Sequence, residues 1–171
     1  IREARKPGMI HAQEFCPHQT MLVHISRFIT WQNRTSILIA EYLDDLSARL
    51  VSDSTTSEDS IYKYFEYIWY KYYADIVSSI SQYLHSNYND PYLIVHSFRS
   101  IRSGLRPAVE NIAVLALNSH PDNKDINLDY DKKTPKKVIA IGGNRLSRGF
   151  TLEGLSINYF IRTAGSADTL L

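Results

Sequence analysis

The chain's Lys137-Val138-Ile139-Ala140-Ile141 is a short β-type apolar run that ends on two glycines, Gly142-Gly143. A second glycine-bearing turn follows and leads into another apolar run, Leu155 to Ile161. The pattern predicts a strand, a tight polar loop and a strand, with Asn144, Arg145, Ser147, Arg148 and Thr151 gathered between the strands. In open α/β sheets, ligands bind in the crevice beyond the carboxyl ends of the strands. Glycine lets backbone approach a ligand closely and permits φ > 0. Arginine makes forked bonds to phosphate or carboxylate.

The flanking sequence supplies further elements. Met21 to Phe28 predicts a short strand. Thr30 then suits an N-cap, and Ile37, Leu38, Tyr42, Leu43, Leu46 and Leu50 recur at helical spacing. Ser52 to Ser60 is polar, with Glu58 and Asp59 placed to favour the start of a second helix. That helix, over about 60–86, carries Ile61, Phe65, Ile68, Tyr72, Ile76, Ile80 and Leu84 on one face. Tyr62, Tyr64, Tyr67, Tyr70 and Tyr73 are spread around it. An aromatic ladder can stack bases, but the plainer expectation is a packed helix with its hydroxyls in water. A third helical stretch, broken by Gly104 and Pro107, runs to about Glu110, and a strand follows at Ile112 to Asn118. A polar loop from Ser119 to Pro135 then leads to the double glycine segment. Strands alternating with helices predict an α/β fold, mainly a parallel sheet flanked by helices. Residues 52–110 read as a helical insertion within it.

A length of 171 residues with 44% hydrophobic and 22% charged side chains suits one soluble domain with a real core. A net charge of +1 argues against a generic basic coat for nucleic acid. Cys16 is the single cysteine, so no internal disulfide can form and a cytoplasmic, reducing setting is expected. The apolar runs are too short to span a bilayer, and nothing resembles a signal peptide. The chain, which begins without Met, reads as a fragment of a larger protein.

Several chemistries lack their motifs. GxxxxGK[ST], GxGxxG, CxxC and HExxH are all absent. His11, Cys16 and His18 are a poor zinc set, because structural zinc takes four ligands at regular spacing, and no metal site is expected. Asp122 and Asp131-Lys132-Lys133 imitate the carboxylates and lysine of a Mg²⁺-dependent nuclease. A charged surface loop explains them more simply. Lys132, Lys133, Lys136, Lys137, Arg145 and Arg148 stand in a stretch with no acidic residue from 132 to 152, which can follow a phosphate backbone.

Ile141 to Leu155 resembles motif V of superfamily-two helicases: Ser147-Arg148-Gly149 and Gly154 match outright, while Thr151 replaces the motif's Asp. Met21 to Arg27 resembles the strand that carries motif IV, and Ile112 to Asn118 the strand after it. A closer similarity is to the Z-one domain family, labelled an endonuclease domain and attached to superfamily-two helicase-type proteins. It is carried by Met21 to Phe28 with Gln32-Asn33, by Ile141 to Leu155, and more weakly by Tyr159 to Arg162 and Asp168 to Leu170.

This resemblance implies a RecA-like second helicase lobe from a DNA-directed ATPase, in a bacterial restriction-modification or phage-defence setting. It implies ATP and Mg²⁺ in the parent protein, supplied mostly by a preceding lobe that bears the P-loop. DNA and that lobe are the implied partners. Gly142, Gly143, Asn144, Ser147, Arg148, Gly149, Thr151 and Glu153 would form the motif V side of the nucleotide cleft. Ser26, Arg27, Gln32 and Arg145 would meet nucleic acid, Ser26 and Arg27 by lying just before a helix start. Local roles compete: Ser26 bonding nearby backbone, Arg27 pairing with a surface carboxylate, Arg148 pairing with Glu153. The family continues into a motif VI stretch beyond Leu171, so no catalytic residue is expected here and the isolated chain should not hydrolyse ATP. The alternatives are a Mg²⁺-dependent endonuclease using Asp122 and Asp131, and a non-catalytic module that docks a partner on the tyrosine-rich helix.

Overall fold

The structure, a computed structural model, describes residues 6, 8–9, 15–88, 94–120, 128–131, 133–143 and 151–161. Four strands, β1 (Gln19–His24), β2 (Ile112–Leu117), β3 (Lys137–Gly142) and β4 (Leu155–Phe160), form one sheet in the order β2-β3-β1-β4. Every pairing is parallel. The expected α/β class with a parallel sheet is therefore observed. β1 and β3 are neighbours whose connections lead in opposite directions, β1 onward to β2 and β3 onward to β4. That is the topological switch point where α/β sheets open a crevice.

Alternation along the strands builds the core. Leu22 lies beside Ala140, which lies beside Leu115. Leu22, Leu117, Val138 and Ala140 form a buried cluster, with Leu115, Leu128 and Leu152 packed against it. On the other face the register aligns Val23, Ile141 and Ala116, all buried. Such a side chain contributes about 1.5–3 kcal/mol when fully removed from water. β4 is an edge strand, and its Leu155, Ile157 and Tyr159 are exposed.

The strand expected from Met21 to Phe28 is shifted toward the N-terminus. Gln19 and Thr20 pair with β3, whereas backbone after His24 turns so that the Ser26 hydroxyl accepts the Phe28 N–H at 3.2 Å. The helix α1 (Ile29–Ser52) therefore starts before Thr30, which sits inside its first turn instead of capping it.

The chain forms two compact units, one of Cys16–Tyr42 with Asn111–Leu171, and one of Ile1–Phe15 with Leu43–Glu110. The sheet belongs to the first. In the second, the continuous helix expected over 60–86 is three pieces: α2 (Ile61–Tyr72), α3 (Ala74–Ser79) and a 3₁₀ turn (Ile80–Tyr83). The break falls at Tyr73, whose φ of −125° is outside helical geometry. Ser60 caps α2 by accepting the Tyr62 N–H, and the Asp53 carboxylate accepts the Ile61 N–H at 2.8 Å. Glu58 and Asp59 thus leave that work to Ser60 and Asp53.

Two short helices follow, α4 (Phe98–Ser103) and α5 (Leu105–Val109), separated at Gly104 as the sequence suggested. Pro107 does not break α5, because it occupies the first turn, where no helical N–H is needed. Asn111, just ahead of β2, has φ 61°, a left-handed position that Asn tolerates. Trp69, Val77, Phe98 and Ile101 pack together, as do Leu46, Leu50 and Ile61.

Candidate ligand site at the strand ends

The carboxyl ends of β1, β2 and β3 place Ser26, Asn118 and Gly143 on one edge of the sheet, together with the first turn of α1. Register requires this: His24 pairs with Gly142, and Gly142 pairs with Leu117. Gln32, in the first turn of α1, is only 3% exposed. Its side-chain amide donates to the Ser26 carbonyl at 2.6 Å. Asn33 beside it accepts on its side-chain oxygen from the Asn118 side-chain amide at 2.8 Å, and Asn118 Oδ1 accepts the His120 N–H at 3.0 Å.

Gly143 closes this arrangement. A methyl group there would stand 2.6 Å from the Ser26 carbonyl oxygen and 2.8 Å from the Gln32 amide nitrogen. Only glycine lets the exit of β3 back directly onto the exit of β1. Arg27 is exposed at the same edge, its guanidinium 5.1 Å from the Phe28 ring centre. The local role expected for Ser26 is present, since its hydroxyl accepts the Phe28 N–H, and its carbonyl in addition holds Gln32.

The other half of the glycine-rich segment lies elsewhere. Thr151 and Glu153 precede β4, and Glu153 stands at the opposite edge, where strands begin. Gly154 has φ +66° and donates no side chain where one would strike the His18 backbone, 2.6 Å from its carbonyl carbon. The Thr20 N–H bonds the Gly154 carbonyl at 2.9 Å. The Thr20 hydroxyl, fully buried, donates to the Glu153 carbonyl at 2.8 Å. A hydroxyl carries one proton, so the Tyr130 hydroxyl must donate the 3.0 Å bond to Thr20. His18 accepts the Lys136 N–H on Nδ1 at 3.2 Å, which leaves its other nitrogen facing the Glu153 carboxylate at 3.8 Å.

The structure thus brings Gly142, Gly143, Ser26, Arg27 and Gln32 to one edge and sets Glu153 at the other, with Thr151 two residues before it. Asn144, Arg145, Ser147, Arg148 and Gly149 lie outside the described residues, as do His11, Asp122 and Lys132. Glu153 meets His18 at its own edge. The Asp131 carboxylate accepts the Lys133 N–H at 2.9 Å, a turn-forming bond. Of the poor zinc set, His18 is buried, while Cys16 is exposed. Among the described residues, no group of three or more His, Cys, Asp or Glu is placed to hold a metal ion.

The family model of the Z1 domain, the Z-one family of the sequence comparison, matches residues 2–171. The chain belongs to the Z1 domain family. No curated protein and no solved structure matches it significantly. Among its described residues, no helix of this Z1 domain is long and apolar enough to cross a membrane.

Sequence reasoning passed over the network of His18, Thr20 and Tyr130. The available signal was weak: a threonine just ahead of an apolar strand, with glycine and glutamate far downstream. In the tyrosine-rich helix of this Z1 domain, Trp69 is buried, while Tyr64, Tyr67, Tyr70 and Tyr72 are each more than half exposed. Tyr62 packs inward and donates its hydroxyl to the Leu50 carbonyl at 2.6 Å. Lys71 donates to the Tyr67 hydroxyl at 2.7 Å and lies 5.1 Å from the Tyr67 and Tyr72 ring centres. The Tyr67 hydrogen bond, then that of Tyr72, holds the Lys71 ammonium pKa above its ordinary value.

Proposed function

We propose that this Z1 domain is the second, RecA-like lobe of a DNA-directed, helicase-like ATPase. The observation that carries the proposal is the crevice between β1 and β3, where Gly143 abuts Ser26, Arg27 and Gln32 at the start of a 24-residue helix. A helix start presents unpaired backbone N–H groups and positive potential, which favours phosphate. Arg27 adds an exposed forked donor at the same edge. ATP and Mg²⁺ are the cofactors of such a motor. Ser26, Arg27 and the first turn of α1 suit phosphate oxygens. The described residues named at this edge include no carboxylate, so Mg²⁺ ligands would come from the preceding lobe. When bound, Mg²⁺-ATP supplies a transferable phosphoryl group, and the role of this edge is to orient and neutralise phosphate.

The similarity of Ile141 to Leu155 to motif V favours this motor over the endonuclease alternative. The endonuclease would also need Asp131, whose carboxylate is already engaged by its own turn. The role would be cytoplasmic, in bacterial restriction-modification or phage defence.

The test is ATP hydrolysis by the full polypeptide that carries this domain, with and without DNA. DNA should stimulate hydrolysis, and Arg27→Ala should reduce that stimulation by roughly tenfold, the scale of one charge-assisted hydrogen bond. Hydrolysis that ignores DNA, or no hydrolysis at all, would overturn the proposal. So would Mg²⁺-dependent DNA cleavage without ATP.

A further inference from the structure

Gln32 is buried to within 3% of full enclosure, and only half of its amide is used. Its nitrogen donates to the Ser26 carbonyl at 2.6 Å, and its oxygen Oε1 has no hydrogen-bond partner among the described residues. The amide cannot simply turn over. Exchanging its two ends would set two carbonyl oxygens 2.6 Å apart. Ser26 therefore holds Gln32 in the orientation that leaves an acceptor, not a donor, unsatisfied. Buried acceptors in native proteins are nearly always satisfied, so an unsatisfied one marks a place where something else belongs.

What belongs there must donate a hydrogen bond, and it must do so beside a site suited to phosphate. Ionised phosphate has no proton to give. The geometry points to a ribose phosphate, with its phosphate over the first turn of α1 beside Arg27 and a sugar hydroxyl donating to Gln32 Oε1. This inference rests on the proposed phosphate-binding role of the crevice and adds the identity of the sugar. The contact uses the difference between ribose and deoxyribose, since a hydroxyl at the 2′ position is the donor that DNA lacks. Oε1 is closed off from solvent, so the hydroxyl reaches it only on a local opening around Gln32.

The experiment compares ligands that differ by one hydroxyl. Binding of ATP against 2′-deoxy-ATP, and of a uridine 12-mer against the deoxyuridine 12-mer, is measured on the protein by fluorescence anisotropy. The ribose member of at least one pair should bind tighter by roughly three- to tenfold, the reach of one net hydrogen bond. A preference confined to the mononucleotides identifies a free nucleotide as the source, and one confined to the oligomers identifies RNA. Gln32→Met, which keeps the bulk and removes the acceptor, should erase the preference. In parallel, the Gln32 side-chain amide signals of the unaltered protein should shift with the ribose ligand more than with its deoxy counterpart, a readout that needs no variant to fold. Equal binding within both pairs would overturn this inference and leave the phosphate-binding role standing. A preference that survives in a folded Gln32→Met protein would also overturn it. Binding of none of the four ligands would overturn both.

Discussion

Thr20 and Glu153, 133 residues apart in the chain, are joined by a 2.8 Å bond from the threonine hydroxyl to the glutamate's backbone carbonyl. The bond ties the entry of β1 to the turn that launches β4, and Tyr130 completes it from a third segment. Thr20→Val preserves the shape and leaves that carbonyl without its buried donor. It should cost about 1–3 kcal/mol, and Tyr130→Phe about 0.5–1.5 kcal/mol. Because the two side chains share one network, the double variant should lose less than the sum of the singles. Chemical denaturation midpoints at constant m value would check this.

Gly154→Ala should be the more damaging of two glycine substitutions. It meets both a φ of +66° and the His18 backbone, which cannot swing aside. The left-handed conformation alone costs about 1–2 kcal/mol for a residue with a Cβ. Gly143→Ala meets one backbone oxygen and one flexible amide, so a loss of about 1–3 kcal/mol is expected as Gln32 is displaced. Thermal melts of the two variants should rank in that order, and equal melting points would contradict the packing described.

Trp69 and Tyr70 are adjacent but face opposite environments, one 5% and the other 60% exposed. Trp69→Ala should lose about 3–5 kcal/mol, and Tyr70→Ala should stay within about 0.5 kcal/mol of the parent. The same melts would measure both.

Lys71 gives a prediction about pH. Its pKa is raised in the folded protein by the Tyr67 hydrogen bond and then by that of Tyr72. Any stabilisation from this ammonium is therefore complete below the unfolded lysine pKa and disappears as pH rises through the folded one. Tyr67→Phe should move the Lys71 titration back toward the ordinary range. A pH series of its side-chain ¹³C signals would show the shift, and an unchanged midpoint would contradict the contact.

The parallel sheet and the importance of the double glycine were legible because both depend on local pattern. Apolar runs bounded by glycine announce strand ends, and Gly143 proves indispensable for the reason glycine usually is: close backbone approach. The helical face was harder. Ile61 and Phe65 follow one periodicity, but the break at Tyr73 resets its phase, so Val77 becomes buried while Ile76 is exposed. Thr20 and His18 were opaque for a different reason. Their burial depends on partners at Tyr130, Lys136 and Glu153, and no local periodicity reports a hydrogen bond across more than a hundred residues. Gln32 is visible in sequence through the Gln32-Asn33 pair of the family resemblance and its implied contact with nucleic acid. That one end of its amide is held and the other left over follows from the position of Ser26.

β1 is gripped at both ends by one stretch of chain: at its exit by Gly143 against Ser26, at its entry by Gly154 against His18 and Thr20. Six extended residues separate those grips by about 20 Å. A strand held in this way acts as a strut under two clamps. With a parallel neighbour paired along each side as well, its register is fixed against sliding along its own axis.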